Sequence, residues 1–223
     1  MPKGSEALTN ARREEIVNAC AALYETMGFR DITIRDIGAK TSFTRTSSYN
    51  YFQTKEEIFL ALLQREYDVW ISDLQKLLCQ SGPLSPEEFA DALAHSLEHR
   101  GCMLKLMSMN LYDMEVNSRL ENLVAFKRSY AEALQAVTCC LEKFFSPLSD
   151  RSIQAFLYAF FPFLFGVYPY TSHTDKQKTA MELAHIHSNP CSIYTIVCSF
   201  TANLLCGLLS GCVESEEELH GGL

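Results

Sequence analysis

The sequence predicts an all-α protein. Only 10 Gly and 7 Pro occur among its 223 residues, and no stretch sustains the alternation of apolar and polar residues that indicates a β-strand. Leu, Ala, Glu and Lys recur instead at spacings of three and four residues, which is the period of an α-helix. A hydrophobic content of 48% with 21% charged residues is typical of a folded chain rather than a disordered one.

The first two helices are predicted from their apolar faces and their ends. One covers about residues 10–27, where four apolar residues share a face and Gly28 supplies the C-terminal stop. A short second helix begins after Thr33, because Asp36 stands three residues later in the position that completes a capping box. This second helix ends by about Lys40.

The third predicted helix is short and the fourth is long. The third runs from Thr44 to about Tyr51. A second capping-box pattern, Thr54 with Glu57, begins the fourth helix, which continues through Leu77. Two short helices joined by about three residues have the dimensions of a helix-turn-helix, whose second helix can lie in the major groove of DNA. An ordinary capped helical hairpin is the alternative.

The rest of the chain is also predicted to be helical. A break at residues 81–83 is followed by Ser85, Pro86 and Glu88, which are a cap, a first-turn proline and a capping glutamate. Further helices are predicted over residues 86–99, 101–110, 117–145, 150–168, 175–186 and 191–211.

The stretch from residue 44 to residue 51 suits contact with DNA. Its hydroxyls are short donors for phosphates and base edges, and Arg45 near a helix N-terminus can fork onto guanine O6 and N7. Lys55, at the positive end of the fourth helix, can hold a phosphate. The predicted DNA contacts are Thr33, Thr44, Arg45, Thr46, Ser47, Tyr49, Asn50, Tyr51 and Lys55.

The charge of this region differs from that of the whole chain. Residues 30–55 contain five basic and two acidic residues, hence a local charge of +3, whereas the chain carries −8. A local patch of this size is much weaker than the basic stripe that would by itself indicate nucleic-acid binding.

The same region resembles the DNA-binding signature of a known family. Residues 33–58 read TIRDIGAKTSFTRTSSYNYFQTKEEI, which is similar without a gap to the signature of the TetR family of bacterial transcriptional regulators. The YxYFxxKEE part is the most specific, and residues 16–29 resemble the family's first helix. The resemblance implies a three-helix DNA-binding domain at 9–69, with its helix-turn-helix at about 33–52. The long fourth helix would join this domain to a helical effector-binding and dimerisation domain at 70–223.

Two departures from the family signature affect local packing. The family's turn glycine is Ser42 here, and a buried leucine of the recognition helix is Ser48. Serine in place of leucine is expected to weaken the packing of that helix by about 1–3 kcal/mol.

Two long stretches, 152–170 and 192–213, contain no Asp, Glu, Lys or Arg. The second is long enough to span a membrane, so a membrane-associated adaptor that uses 152–213 as a hydrophobic hairpin is the alternative function. Polar residues in the second stretch and prolines in the first favour burial in protein instead. In TetR-like proteins the last two long helices pair with a second copy, which implies a homodimer through residues near 150–168 and 191–211.

The resemblance also implies a pocket for a small-molecule effector. Soft and aromatic side chains suit a small apolar effector, although such side chains at helical spacing also form plain hydrophobic core. The candidate pocket residues are Met103, Met107, Tyr112, Phe126, Tyr130, Phe160 and Phe163.

No catalytic site, cofactor or metal site is predicted. The chain lacks a Gly-rich phosphate loop and a GxSxG motif, and the paired histidines His95 and His99 are expected to lie on a solvated face. Nine cysteines without a CxxC motif or an export signal indicate reduced thiols in a cytoplasmic protein, with a redox sensor as the alternative. An enzyme would have to assemble its catalytic groups from distant positions.

The resemblance therefore implies a ligand-responsive transcriptional repressor that is released from DNA by its effector. A homodimer is part of this expectation, because one helix-turn-helix reads only a few base pairs whereas a two-fold pair reads a palindromic operator.

Overall fold

The computed structural model of the chain describes residues 3–43, 48–186 and 191–220. These residues form helices and no β-strand, which confirms the all-α prediction. The helices are α1 (Lys3–Tyr24), α2 (Ile34–Gly38), α3 (Lys55–Leu78), α4 (Pro86–Glu98), α5 (Gly101–Val116), α6 (Leu120–Phe144), α7 (Asp150–Thr171), α8 (Asp175–Leu183) and α9 (Ile193–His220).

Two predicted capping boxes begin helices in the structure. At α2, the Thr33 hydroxyl accepts from the Asp36 N–H at 3.3 Å, and the Asp36 carboxylate accepts from the Thr33 N–H at 3.0 Å. Ser85 and Glu88 make the same pair of bonds at the start of α4, where Pro86 occupies the first turn. Each cap satisfies N–H groups that a helix start leaves unpaired, which stabilises a helix by about 1 kcal/mol.

α5 and α8 end at positions that differ from the predicted ones. α5 continues to Val116 instead of ending near residue 110, so a turn of only three residues, 117–119, connects it to α6. α8 ends at Leu183 because His185 has a φ of 55°, which belongs to left-handed backbone and cannot continue an α-helix.

The chain divides into two compact units, and neither is a single stretch of sequence. The first contains residues 1–67 and 109–130, and the second contains residues 68–108 and 131–223. α3, α5 and α6 each contribute residues to both units. The domain limits of 9–69 and 70–223 stay a prediction. They divide the chain into two contiguous stretches, whereas each compact unit combines two separate stretches.

Aromatic side chains form the core of the first unit. The ring centroid of Phe59 lies 4.7 Å from that of Phe29 and 5.1 Å from that of Tyr24. These rings join α1, the loop before α2 and the start of α3. The most deeply buried aliphatic side chains of the unit include Ile16, Ile32, Ile37, Ile58, Leu62 and Leu63.

The turn after α2 forms without the glycine of the family signature. Ser42 donates its backbone N–H and its hydroxyl to the two carboxylate oxygens of Glu15 on α1, the hydroxyl at 3.0 Å. Among the described non-glycine residues only His185 has a positive φ, so Ser42 keeps a backbone that any residue can adopt. The substitution of glycine by serine is therefore accommodated by two hydrogen bonds to Glu15.

Ser48 is the other departure, and it is buried. Its side chain is 1% exposed, and its hydroxyl has no hydrogen-bond partner among the described residues. Its carbonyl accepts from the N–H groups of Tyr51 and Phe52, at 3.0 and 3.1 Å. A buried hydroxyl without a partner costs about 1–3 kcal/mol, which is consistent with the predicted weakening of this part of the core.

The second unit is built around Trp70. Its indole Nε1 donates to the Ser96 hydroxyl at 2.9 Å, and its ring lies 6.0 Å from that of Phe161. α9 packs against α4 and α7 in the same unit. Between α7 and α9, the rings of Phe163 and Phe200 stack with centroids 3.8 Å apart.

Replacing Ser48 by Ala is expected to raise the free energy of unfolding by about 1 kcal/mol, because it removes a buried hydroxyl whose hydrogen bonds to water are lost on folding. Ser96→Ala is the matched control, since its hydroxyl is engaged with Trp70, and it is expected to lower that free energy. Urea unfolding followed by circular dichroism measures both. A decrease for Ser48→Ala would show that the Ser48 hydroxyl is paired in solution.

Candidate nucleic-acid interface

The structure describes five of the nine predicted DNA contacts. Thr44, Arg45, Thr46 and Ser47 lie outside the described residues. Thr33, Tyr49 and Asn50 are exposed, and Tyr51 and Lys55 are half-buried.

An open cleft brings three of these contacts together from separate parts of the chain. Thr33 from the start of α2, Tyr49 from the turn before α3 and Lys55 from the start of α3 all line it. The cleft measures about 500 Å³ and is also lined by Ile32, Ile34, Arg35 and Glu56. Arg35 is exposed on α2 and was absent from the predicted contacts, although its place two residues after the Thr33 cap could have indicated it. The cleft thus combines two cations with hydroxyl groups, a combination that suits phosphate oxygens.

Lys55 also has a structural role that the sequence did not indicate. Its ammonium donates to the carbonyls of Phe29 at 2.8 Å and Ile32 at 3.3 Å, and it lies 4.5 Å from the centre of the Phe29 ring. These contacts fix the loop that leads into the Thr33 cap. An ammonium has three N–H donors, so two carbonyls leave one for a phosphate.

Two arginines of α1 hold the end of the predicted recognition segment. The Arg12 guanidinium donates to the Tyr51 hydroxyl at 3.2 Å and lies 5.4 Å from the centre of the Phe43 ring. Arg13 donates to the Tyr51 carbonyl at 3.1 Å and lies 4.3 Å from the centre of the Phe52 ring. Sequence reasoning missed both arginines, because their partners lie 38 and 39 residues away.

A buried carboxylate lies next to this segment. Glu57 on α3 is completely buried, and its oxygens accept from the Gln53 N–H at 2.7 Å, from the Arg119 N–H at 3.1 Å, and from Arg119 Nε and Nη2 at 2.6 and 3.0 Å. Its own N–H donates to the Thr54 hydroxyl at 3.2 Å. The predicted capping pair is therefore half formed, because the carboxylate turns towards Gln53 and Arg119.

The surroundings of Glu57 strongly favour its charged form. Burial raises the pKa of Glu57, but the hydrogen bonds from the Arg119 side chain and from the backbone N–H groups of Gln53 and Arg119 outweigh it. Together they lower the pKa from 4.5 to about 2. The carboxylate is ionised at neutral pH and its negative charge is satisfied within the protein.

The predicted effector contacts fall into separate clusters. Phe126 and Tyr130 lie in the first unit, each with its ring centroid 5.9 Å from that of Tyr67. In the second unit, Phe160 and Phe163 lie 6.4 Å apart, and Met103 and Met107 are buried. Tyr112 is 79% exposed. The contribution of each residue to an effector site stays a prediction.

Two helices meet the length and composition of a membrane span. They are α7 over Asp150–Thr171 and the part of α9 over Ile193–Gly211, with mean hydropathies of 1.3 and 1.7. Only 39% and 17% of these segments are buried within the chain. The exposed positions of α7 include Tyr158 and Tyr170, whereas those of α9 include Thr195, Ser199 and Asn203. Among the described residues, no three His, Cys, Asp or Glu side chains are grouped in a way that could hold a metal ion.

Comparison with protein families gives two adjacent matches. A model described as "Bacterial regulatory proteins, tetR family" matches residues 16–62, and one described as "Tetracyclin repressor-like, C-terminal domain" matches residues 64–215. The second match alone covers more than half of the chain.

Individual relatives agree with these matches. YdgC of Bacillus subtilis (strain 168), described as an uncharacterised HTH-type transcriptional regulator, is 30% identical over 86 residues, which are 39% of this chain and 44% of YdgC. This chain matches less than half the length of such curated relatives.

Solved structures share the fold at low sequence identity. A putative TetR-family regulator from Mesorhizobium loti has a TM-score of 0.59 at 15% identity, covering 91% of this chain and 96% of that one. The fatty acid degradation regulator FadR from Bacillus halodurans has a TM-score of 0.56 at 14% identity, covering 87% and 94%.

Replacing Glu57 by Gln is expected to lower the free energy of unfolding by about 2 kcal/mol at pH 7, after allowance for the solvent exposure of Arg119. Because the folded pKa is depressed, the stabilisation by Glu57 is present above pH 4.5 and is lost as the pH falls towards 2. The difference between wild type and variant should therefore shrink over this pH range.

Urea unfolding at a series of pH values measures this difference. Glu14→Gln is the control, since Glu14 pairs with Arg65 at the surface and its loss is expected to change stability by less than about 1 kcal/mol. A difference between wild type and Glu57→Gln that does not vary with pH would contradict the depressed pKa.

Proposed function

Because the chain belongs to the TetR family of bacterial regulatory proteins, we propose that it is a ligand-responsive repressor that binds a palindromic DNA operator as a homodimer. The family assignment makes it a transcriptional regulator with an N-terminal DNA-binding domain and a C-terminal ligand-binding domain, and not an enzyme. Repression, the dimer and the nature of the effector are the parts that we propose. A bacterial regulator of this kind works in the cytoplasm.

The observation that carries the proposal is the cleft of the first unit. The residues that match the family's DNA-binding model, 16–62, include Thr33, Arg35, Tyr49 and Lys55, and these four line one open cleft. Tyr49 follows the segment 44–47 closely in the sequence, and that segment carries the hydroxyls and the arginine that we expect to reach base edges. Phosphate contacts at the rim would then fix the position of the segment in the major groove.

A homodimer is supported by the charge of the chain. Residues 30–55 carry only five basic residues against two acidic ones, within a chain of net charge −8. Electrostatic attraction to phosphates supplies most non-specific affinity for DNA, so one such domain alone would bind weakly. Two domains on one two-fold axis can engage two half-sites together, which multiplies their affinities.

The surface that we propose for this dimer lies on α7 and α9. The exposed side of α7 carries Tyr158 and Tyr170, which are 77% and 75% exposed, together with Pro162. Large exposed apolar side chains on α7, next to a helix that is only partly buried, are typical of an interface between copies. The exposed positions of α9 include Ser199 and Asn203, whose polar groups suit a protein interface better than the interior of a bilayer.

The alternative function uses the same two helices as a membrane hairpin. Their length and hydropathy favour it. The two functions are separated by fractionation of cells without detergent, because a repressor must stay in the soluble fraction.

For the effector, we propose a small and mostly apolar molecule. Met103, Met107 and Phe160 are buried in the second unit, and thioether and aromatic groups adapt readily to apolar ligands. The effector would favour a dimer conformation in which the two recognition segments no longer match the spacing of the half-sites. A hundredfold loss of operator affinity requires about 2.7 kcal/mol of differential effector binding.

DNA contacts of two kinds are expected to respond differently to mutation. Arg45→Ala should weaken operator binding and also relax its sequence preference by about 1–3 kcal/mol, because a bidentate contact to guanine is lost. Lys55→Ala and Arg35→Ala should weaken binding to all duplexes alike, with the slope of affinity against salt reduced by about one for each phosphate contact.

Fluorescence anisotropy with duplexes tiled from the DNA beside the protein's own gene measures these effects. Lys176→Ala removes an exposed lysine of the second unit and is expected to change neither quantity. If the wild-type protein binds none of these duplexes at low salt, the proposed repressor function is wrong.

Tyr158→Glu is expected to convert the dimer into a monomer, because it places a charge in the centre of the proposed apolar interface. Light scattering coupled to size-exclusion chromatography measures the mass. Tyr112→Glu is the matched control, since Tyr112 is equally exposed in the first unit, and it should stay dimeric. A dimer that survives Tyr158→Glu unchanged would exclude this part of α7 from the interface.

A further inference from the structure

A turn that lies far from the helix-turn-helix in sequence is bonded to it. We propose that Arg119, in the turn between α5 and α6, is a positioning residue for DNA recognition: through Glu57 and the Tyr51 carbonyl it fixes the end of the recognition segment. This inference rests on the proposed function, because it assigns a role in the reading of DNA.

The first step is the geometry of the ion pair. Arg119 donates from Nε and Nη2 to the two oxygens of Glu57, at 2.6 and 3.0 Å, and its backbone N–H donates to the same carboxylate at 3.1 Å. A two-pronged contact between planar groups fixes orientation as well as distance. These bonds therefore fix both the side chain and the backbone of Arg119 relative to the start of α3.

The second step leads from Glu57 to the recognition segment. The Glu57 carboxylate also accepts from the Gln53 N–H at 2.7 Å. The Tyr51 carbonyl accepts from Arg13 at 3.1 Å and, at a longer 3.5 Å, from Arg119. The Tyr51 N–H in turn donates to the Ser48 carbonyl, directly after the segment 44–47. A shift of Arg119 would therefore move the residues that end this segment.

The third step is that the contact between Glu57 and Arg119 is not part of an ordinary helix cap. In an ordinary capping box the glutamate accepts from the backbone N–H of the N-cap residue and stays near the surface. Here the carboxylate is completely buried and is directed to Gln53 and Arg119. A buried carboxylate that loses its cation is strongly unfavourable, so the loop must rearrange if Arg119 is removed.

Two further bonds attach the same part of the chain. The Thr54 hydroxyl donates to the Asn117 carbonyl at 3.0 Å, and the Tyr24 hydroxyl donates to the Asn110 side-chain oxygen at 3.2 Å. Residues 109–130 accordingly belong to the same compact unit as residues 1–67, although they fall within the match to the family's C-terminal model. The part of the protein that reads DNA thus extends beyond residues 16–62.

Two other roles for Arg119 must be separated from positioning. Arg119 could touch a DNA phosphate directly, since 35% of its side chain is exposed. It could also contribute only to stability. The substitutions Arg119→Gln and Glu57→Gln change the net charge in opposite directions, so an equal loss of specific binding in both cannot come from attraction to phosphates.

The test uses full-length protein and a duplex that the wild type selects from a random-sequence pool. Affinities for this duplex and for a scrambled duplex of equal length are measured over a range of salt, at a temperature where circular dichroism shows every variant folded. Each single variant should lower affinity for the selected duplex about tenfold, and the double variant should be no worse than either, because both break one interaction. Affinity for the scrambled duplex should change less than about threefold, as expected for one charge.

Matched controls come from the same neighbourhood. Glu121→Gln removes a second, exposed carboxylate that lies 3.3 Å from Arg119, and Arg128→Gln removes an exposed arginine of α6. In both variants the ratio of the affinity for the selected duplex to that for the scrambled duplex should equal the wild-type ratio.

Three results would overturn the inference. A reduced salt slope with Arg119→Gln alone would make Arg119 a phosphate contact. Lower thermal stability with an unchanged ratio of the affinities for the two duplexes would show that Arg119 is a purely structural residue. Additive losses in the double variant would show that Arg119 and Glu57 act separately.

A measurement without DNA separates this inference from the proposed function. Hydrogen–deuterium exchange of peptides covering residues 44–53 should become faster in Arg119→Gln and Glu57→Gln and stay unchanged in both controls. If the wild type selects no duplex, the proposed function fails, and faster exchange in these peptides still supports the positioning of the segment. Unchanged exchange overturns the positioning even if the wild type selects a duplex.

Discussion

The buried carboxylate of Glu57 constrains the whole first unit. A charge removed from water is tolerated only when hydrogen-bond donors surround it, and here the donors are backbone and side-chain N–H groups of Gln53 and Arg119. Those groups belong to the loop that follows the recognition segment and to the turn between α5 and α6. Two distant parts of the chain, residues 53–57 and the turn that contains Arg119, must therefore come together before the carboxylate can be buried.

The sequence predicted those features whose causes are local. The caps at Thr33 and Ser85 depend on residues three positions apart, so their pattern is visible without a structure. Arg119 is 62 residues from Glu57, and a single arginine before a helix carries no signal that names its partner. The same holds for Glu15, whose carboxylate replaces the turn glycine by binding Ser42. The sequence predicts a phosphate contact for Lys55, but its bonds to two carbonyls depend on a fold that brings them close.

The apolar helices α7 and α9 show a different limit of sequence reasoning. An apolar composition indicates that a helix is buried, but it does not show whether the helix is buried in lipid or in protein. The structure adds that large parts of both helices remain exposed within one chain. The exposed positions of α9 include Ser199 and Asn203, whose polar groups suit the interior of a bilayer poorly.

The discontinuity of the first unit matters for the construction of hybrid regulators. A natural place to exchange sensing domains between relatives is the junction near residue 63, where one family match ends and the next begins. A graft at that point would bring Glu57 from one parent and the partner of its carboxylate from the other. Chimaeras of this fold therefore need to transfer residues 109–130 together with the N-terminal domain. Glu57 and Arg119 then come from the same parent protein.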